Sequence, residues 1–100
     1  MMIASNEIVK KLSPRIFWDI NIETLDLHNN KNEIIERAFV YGTDNDEIII
    51  WSIYTYDEIK KSVLNSDNLN DATIIYLSKV FNIKEKIFKC YGKKLSHLNY

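Results

Sequence analysis

Glycine and proline are nearly missing from this chain: Gly42, Gly92 and Pro14 are all that punctuate 100 residues. β-Sandwiches and barrels of this size need many tight turns built from those residue types, so the scarcity speaks against them and for helices. Cysteine is down to one, Cys90, which forms no internal disulfide. The opening MMIASNEIVKKL lacks the basic-then-apolar order of a secretory leader, and the expected compartment is the cytoplasm. No apolar run approaches the roughly 20 residues that span a bilayer. The longest, Ile48-Ile49-Ile50-Trp51, is followed at once by Ser52, so no membrane role is expected.

The chemistry-bearing residues are equally thin. A zinc site needs about three or four Cys or His ligands, and the chain offers only Cys90, His28 and His97, widely spaced. Cys90 as a nucleophile would want a histidine base and an oxyanion hole, and no spacing motif ties either histidine to it. Neither glycine has a second glycine nearby to cradle a phosphate. Paired carboxylates abound between Asp19 and Glu58, but acids at helix starts are accounted for by capping and the helix dipole. The expectation is a protein that is not an enzyme and holds no metal and no cofactor.

What is present looks globular: 46% apolar and 27% charged, far from the composition of disordered chains. A chain of this length builds one core and buries roughly 60 to 70 per cent of its unfolded surface. A single domain over 1–100 is expected, frayed at about 1–6 and 93–100. Net charge is only -1, yet residues 19–58 carry ten acids against Lys31 and Arg37 while both ends are basic. An acidic middle steers an oppositely charged partner or simply solvates helix faces.

Periodicity supplies the elements. Ile8, Val9 and Leu12 suggest a short helix over Asn6 to Leu12. Ser13 offers a hydroxyl cap, with Pro14 at the first position of a single turn reaching Trp18. His28-Asn29-Asn30 reads as turn and cap chemistry. Ile34, Ile35, Ala38, Phe39 and Tyr41 mark one helix face over Asn32 to Tyr41, with Gly42 as a left-handed stop. Thr43 with Asp46, or Asp44 with Glu47, makes a capping box for a helix through Tyr54. Taken alone, residues 48–54 are β-branched and aromatic enough for a buried strand, and the cap decides for helix. Thr55 with Glu58 caps a helix to about Asn65, and Asn70 caps Asp71 to Phe81, whose inner face is Ile74, Leu77, Val80 and Phe81. Asn82 accepts the left-handed turn, and one or two turns over Lys84 to Tyr91 carry Ile87, Phe88 and Tyr91. The fold class is therefore all-α, a compact bundle of about five short helices. Its expected core holds Phe17, Trp18, Ile35, Phe39, Trp51, Ile59, Val63, Leu77 and Phe81.

Two binding readings compete. The pair Tyr56–Asn65 and Asp71–Phe81 has the outline of a helix-turn-helix, and Lys84, Lys86, Lys89, Lys93 and Lys94, interleaved with Phe88 and Tyr91, form a basic group able to grip phosphate. The would-be recognition helix, however, offers only Lys79 and leads with an acid. The other reading is a protein surface. Large aromatics dominate both cores and binding hot spots, and Trp18, in a short segment, either plugs the core or faces a partner.

The order Ser13-Pro14-Arg15, Phe17-Trp18-Asp19, Ile34-Ile35-Glu36-Arg37, Gly42, Trp51, Thr73, Leu77-Ser78 and Cys90-Tyr91 resembles a family of small uncharacterised bacterial proteins over roughly residues 12–92. Its members are often encoded beside nucleotidyltransferase-like toxins of abortive-infection type. The resemblance implies an antitoxin or accessory partner of such a toxin and supplies no catalytic residue. On that reading Arg15, Trp18, Asp19, Asp44, Asp46 and Glu47 contact the partner. A DNA-binding regulator using the C-terminal lysines is the alternative.

Overall fold

Three of the four long helices begin where a side chain accepts an N–H group that lacks an intrahelical partner. Asn30, expected as cap chemistry before the first of them, makes no side-chain cap and instead accepts the Asp26 N–H at 2.8 Å. The computed structural model describes residues 9–91. Helix α1, Lys31–Tyr41, follows a turn in which the Asp26 carboxylate accepts the N–H groups of His28 and Asn29. Thr43 and Asp46 form a capping box that starts α2, Asp44–Ile53, and Thr55 and Glu58 repeat it for α3, Tyr56–Leu64. Asn70 caps α4, Asp71–Phe81, by accepting the Thr73 N–H at 2.8 Å. Three 3-10 turns complete the set: Pro14–Phe17, Ile22–Thr24 and Glu85–Ile87.

The chain is thus an all-α bundle of short helices, with no strand among the described residues. The β-branched run 48–54 is helical because the Thr43 box and the acids Asp44, Asp46 and Glu47 fix its first turn. Helix α1 lies at the centre and packs on α3, α2 and the first 3-10 turn. Ile34, Ile35, Ala38 and Phe39 of α1 meet Ile50, Ile59 and Val63, and α4 closes the core with Ile74, Leu77 and Phe81. From outside the long helices, Val9, Leu12, Ile16, Phe17, Leu25, Leu69 and Phe88 are also buried. The Tyr54 hydroxyl donates to the Leu27 carbonyl at 2.7 Å and pins the 22–30 segment against α2.

Several expectations are corrected. Trp18 is not a core residue: it is 73% exposed, because the turn beginning at Pro14 sends Ile16 and Phe17 inward and ends with Trp18 facing water. Trp51 is only half-buried, and Tyr41 and Val80 are exposed rather than on inner faces. The stretch 84–91 holds one 3-10 turn before helical geometry resumes at Lys89, and Ile87 faces solvent. Asn82 does take the left-handed conformation, with φ 53°. Of the expected helix at 6–12, residues 6–8 lie outside the described residues, as do the expected frayed ends.

The Ser13 hydroxyl makes no cap. Instead the Ser13 backbone N–H donates to Asp46 Oδ1 at 2.8 Å, across the corner between α1 and α2. The other carboxylate oxygen of Asp46 accepts the Thr43 N–H at 2.8 Å and the Thr43 hydroxyl at 3.1 Å. Gly42 stands in the same corner, and it is not left-handed: its φ is -84° and its ψ 174°. A side chain is excluded there by space, since a Cβ would lie 2.4 Å from the Ala38 carbonyl oxygen and 2.9 Å from Asp46 Cβ.

Two expectations about stability follow from this corner. At negative φ, Gly→Ala ordinarily stabilises through the unfolded state, but Gly42→Ala should cost about 1 to 3 kcal/mol in urea unfolding, because both crowding atoms are tightly held. Burial pushes the Asp46 carboxyl up, but the N–H groups of Thr43 and Ser13 and the Thr43 hydroxyl outweigh it and hold the group below its ordinary value. Such a group adds stability that is present above its unfolded pKa of about 4 and is lost as pH falls through the lower folded value. Asp46→Asn should cost about 2 kcal/mol at neutral pH and give a flatter acid limb in a stability-versus-pH series. An unchanged acid limb would assign that limb to other carboxylates.

Candidate functional site

The stretch from Ser13 to Asp19 is bound to the bundle at nearly every residue. Ser13 is held by Asp46, and Pro14 occupies the first turn position, where its missing N–H costs nothing. Arg15 Nε donates to the Tyr41 carbonyl at 2.8 Å, satisfying one of the free carbonyls at the end of α1. Ile16 and Phe17 are buried. Asp19 receives both terminal nitrogens of Arg37, at 2.7 and 3.2 Å, and the same guanidinium donates to the Ile16 carbonyl at 3.0 Å and pairs with Glu33. This two-pronged contact is the hydrogen bond that most lowers the Asp19 carboxyl and raises Arg37 further above its already high value.

The predicted partner-binding residues therefore divide. Trp18 stands exposed, with no hydrogen bond drawn from its indole. Asp44 is exposed on the first turn of α2. Arg15 and Asp19 are exposed, with Arg15 Nε and both Asp19 carboxylate oxygens engaged by the fold. Asp46 does not belong to a surface at all: it is 1% exposed and engaged on both oxygens. Glu47 is half-buried, and the Tyr76 hydroxyl of α4 donates to its carboxylate. Burial raises Glu47, and the charges of Asp44 and Asp46 add to the rise against the lowering effect of that hydroxyl.

The structure also exposes apolar residues that sequence reading did not single out. Ile48 of α2, Tyr56 at the start of α3 and Tyr76 of α4 all face solvent. Tyr56 belongs to a ring cluster in which Trp51 lies 6.0 Å from Phe39, 5.9 Å from Phe81 and 6.5 Å from Tyr56, while Tyr56 lies 5.0 Å edge-on from Phe81. Periodicity offered one clue, since Tyr76 falls one position off the Ile74–Leu77–Phe81 stripe.

Of the basic group, Lys84, Lys86 and Lys89 are exposed, and Lys89 pairs with Asp67 at 3.2 Å. Lys93 and Lys94 lie outside the described residues. The outward side of α4 presents Asp71, Ala72, Ile75, Tyr76, Lys79 and Val80. One cation on that side is a poor match for a DNA groove. Among the described residues no three His, Cys, Asp or Glu side chains converge to hold a metal ion, and no helix is long and apolar enough to cross a membrane.

Comparison with known proteins adds one finding. The model of a family of unknown function, DUF6922, matches residues 12–63, which run from the start of the Ser13–Asp19 stretch through α1 and α2 to the next-to-last residue of α3. No curated protein and no solved structure matches the chain. The match covers more than half of the sequence and includes both halves of the Arg37–Asp19 contact and of the Ser13–Asp46 corner. The chain belongs to the DUF6922 family, whose function is unknown.

Proposed function

We propose that this chain is a non-enzymatic protein-interaction domain, the antitoxin or accessory partner of a nucleotidyltransferase-like toxin. The observation that carries the interaction reading is Trp18. Its neighbours from Ser13 to Asp19 are engaged by a bond or a buried position in the bundle, Pro14 excepted, which sets the first position of the turn, whereas Trp18 leaves 73% of its surface in water. An indole held outward by a fixed turn loses little conformational entropy on binding and is the side chain most enriched at binding hot spots. The toxin as partner rests on the resemblance to proteins encoded beside such enzymes.

In this reading Trp18 fills an apolar pocket of the partner while exposed acids such as Asp44 face a basic nucleotide-binding cleft and occlude it. The net charge of residues 19–58 suits such a cleft, and complementary charge speeds encounter as well as fixing register. The DNA-binding alternative draws less support, given the single lysine on the outer side of α4.

Trp18→Ala separates fold from function. It should change stability by no more than about 0.5 kcal/mol, as exposed positions do, and weaken binding to the neighbouring nucleotidyltransferase-like gene product by about tenfold or more. Chemical denaturation and isothermal titration read the two effects. A native protein that fails to co-elute with that gene product at micromolar concentration ends this reading, and a salt-sensitive mobility shift of DNA would favour the alternative.

A further inference from the structure

Helix α4 carries an apolar stripe on each of two opposite sides. Thr73, Ile74, Leu77, Ser78 and Phe81 are buried against the bundle, and the other side presents Ala72, Ile75, Tyr76, Lys79 and Val80. Those five positions repeat the spacing i, i+3, i+4, i+7, i+8 by which a helix buries one face. They nevertheless stand in water, with Ile75, Tyr76 and Val80 42, 45 and 37% exposed. Asp71 and Lys79 are the only charged residues of the helix. A helix that is hydrophobic all round belongs between two packed surfaces, and the bundle supplies only one of them.

The charges beside the outer stripe indicate what the second surface is. Helix α2 runs next to α4 in the same direction, since Glu47 accepts the Tyr76 hydroxyl and the Trp51 ring lies 5.9 Å from that of Phe81. Asp44, one turn before Glu47, therefore stands level with the first turn of α4, at the opposite end of the stripe from Lys79. Both are exposed, and neither forms an ion pair among the described residues. Tyr76 is the midpoint between them. A second copy turned about a two-fold axis through Tyr76 lays its α4 antiparallel on the first, stripe on stripe, and brings Lys79 of each copy to the end where the other carries Asp44. A parallel arrangement would set lysine against lysine. The face is thus complementary to itself in both apolar pattern and charge, which is the condition a two-fold interface imposes.

We propose that the outer side of α4 binds a second copy of this chain, with the two Ala72–Val80 stripes packed antiparallel and Lys79 of each copy facing Asp44 of the other. The interface makes no use of Trp18 and stands whether or not the toxin reading does.

Sedimentation equilibrium of the full chain over a concentration series from micromolar to millimolar tests it. The mass should rise from that of the 11.8 kDa chain to twice that value. Val80→Glu puts a charge into the stripe, and Lys79→Glu or Asp44→Lys sets like charges together, so each alone should weaken association about tenfold or more. All three positions are exposed, and circular dichroism with urea unfolding checks that each variant keeps the native fold. An equimolar mixture of the Lys79→Glu and Asp44→Lys proteins should associate again, to within about threefold of the native affinity, because both contacts across the two-fold axis then pair opposite charges. A chain that stays monomeric at every concentration, whether α4 then meets another protein or nothing, overturns the interface. So does association that Val80→Glu leaves unchanged, or a mixture that associates no better than its components.

Discussion

The carboxylate of Asp46 is the constraint on which the rest of the molecule depends. One side chain, sealed from water, accepts the backbone N–H groups of Ser13 and Thr43, which are 30 residues apart. It caps the helix it belongs to and at the same time fastens the chain that precedes α1. The lack of a side chain at Gly42 is what lets it sit so close to the end of α1. A neutral side chain of similar shape could fill the space, but only an acceptor with two free oxygens satisfies both strands of the corner. With that corner fixed, the turn at Pro14 has one orientation, and Ile16 and Phe17 enter the core while Trp18 leaves it.

Arg37 performs the complementary task from the middle of α1. It reaches a carboxylate, a carbonyl and an acid one turn earlier on its own helix, so a single guanidinium holds the far end of the Ser13–Asp19 stretch. Lysine, a point charge with no planar fork, could not make the two-pronged contact with Asp19. The stretch is thus tied at both ends by charge-assisted hydrogen bonds and in its middle by apolar burial. That division explains why a run of conspicuous residues is mostly architecture, with one residue left over. Elsewhere in the bundle, contacts between aromatic rings do the joining, since Trp51 touches rings carried by α1, α3 and α4.

The helices were legible because local chemistry agrees with their tertiary setting. Thr43–Asp46, Thr55–Glu58, Asn70 and Asn82 act as their spacing indicates, and the caps overrode the strand-like composition of 48–54. The misreadings concern what spacing cannot encode. Gly42 looks like a left-handed stop, and its real reason is crowding by the Ala38 carbonyl and the Asp46 side chain. Ser13 looks like the cap of its own turn, and instead it binds Asp46, through its backbone N–H at 2.8 Å. Trp18 looks like core because it follows two core residues, and the tighter winding of a 3-10 turn turns it outward. Asp46 reads as one acid of a charged surface because burial of a capping residue depends on what folds over it.

The last core contribution comes from near the end of the described chain, where the Cys90 thiol donates to the Leu69 carbonyl at 3.0 Å and approaches that of Asp67 at 3.5 Å. This cysteine is 3% exposed, and Phe88 beside it is sealed under the bundle. A thiol so placed reacts with solution reagents only when its segment lifts away from the α3–α4 connection. The rate at which Cys90 becomes modified therefore reports the opening of this part of the core.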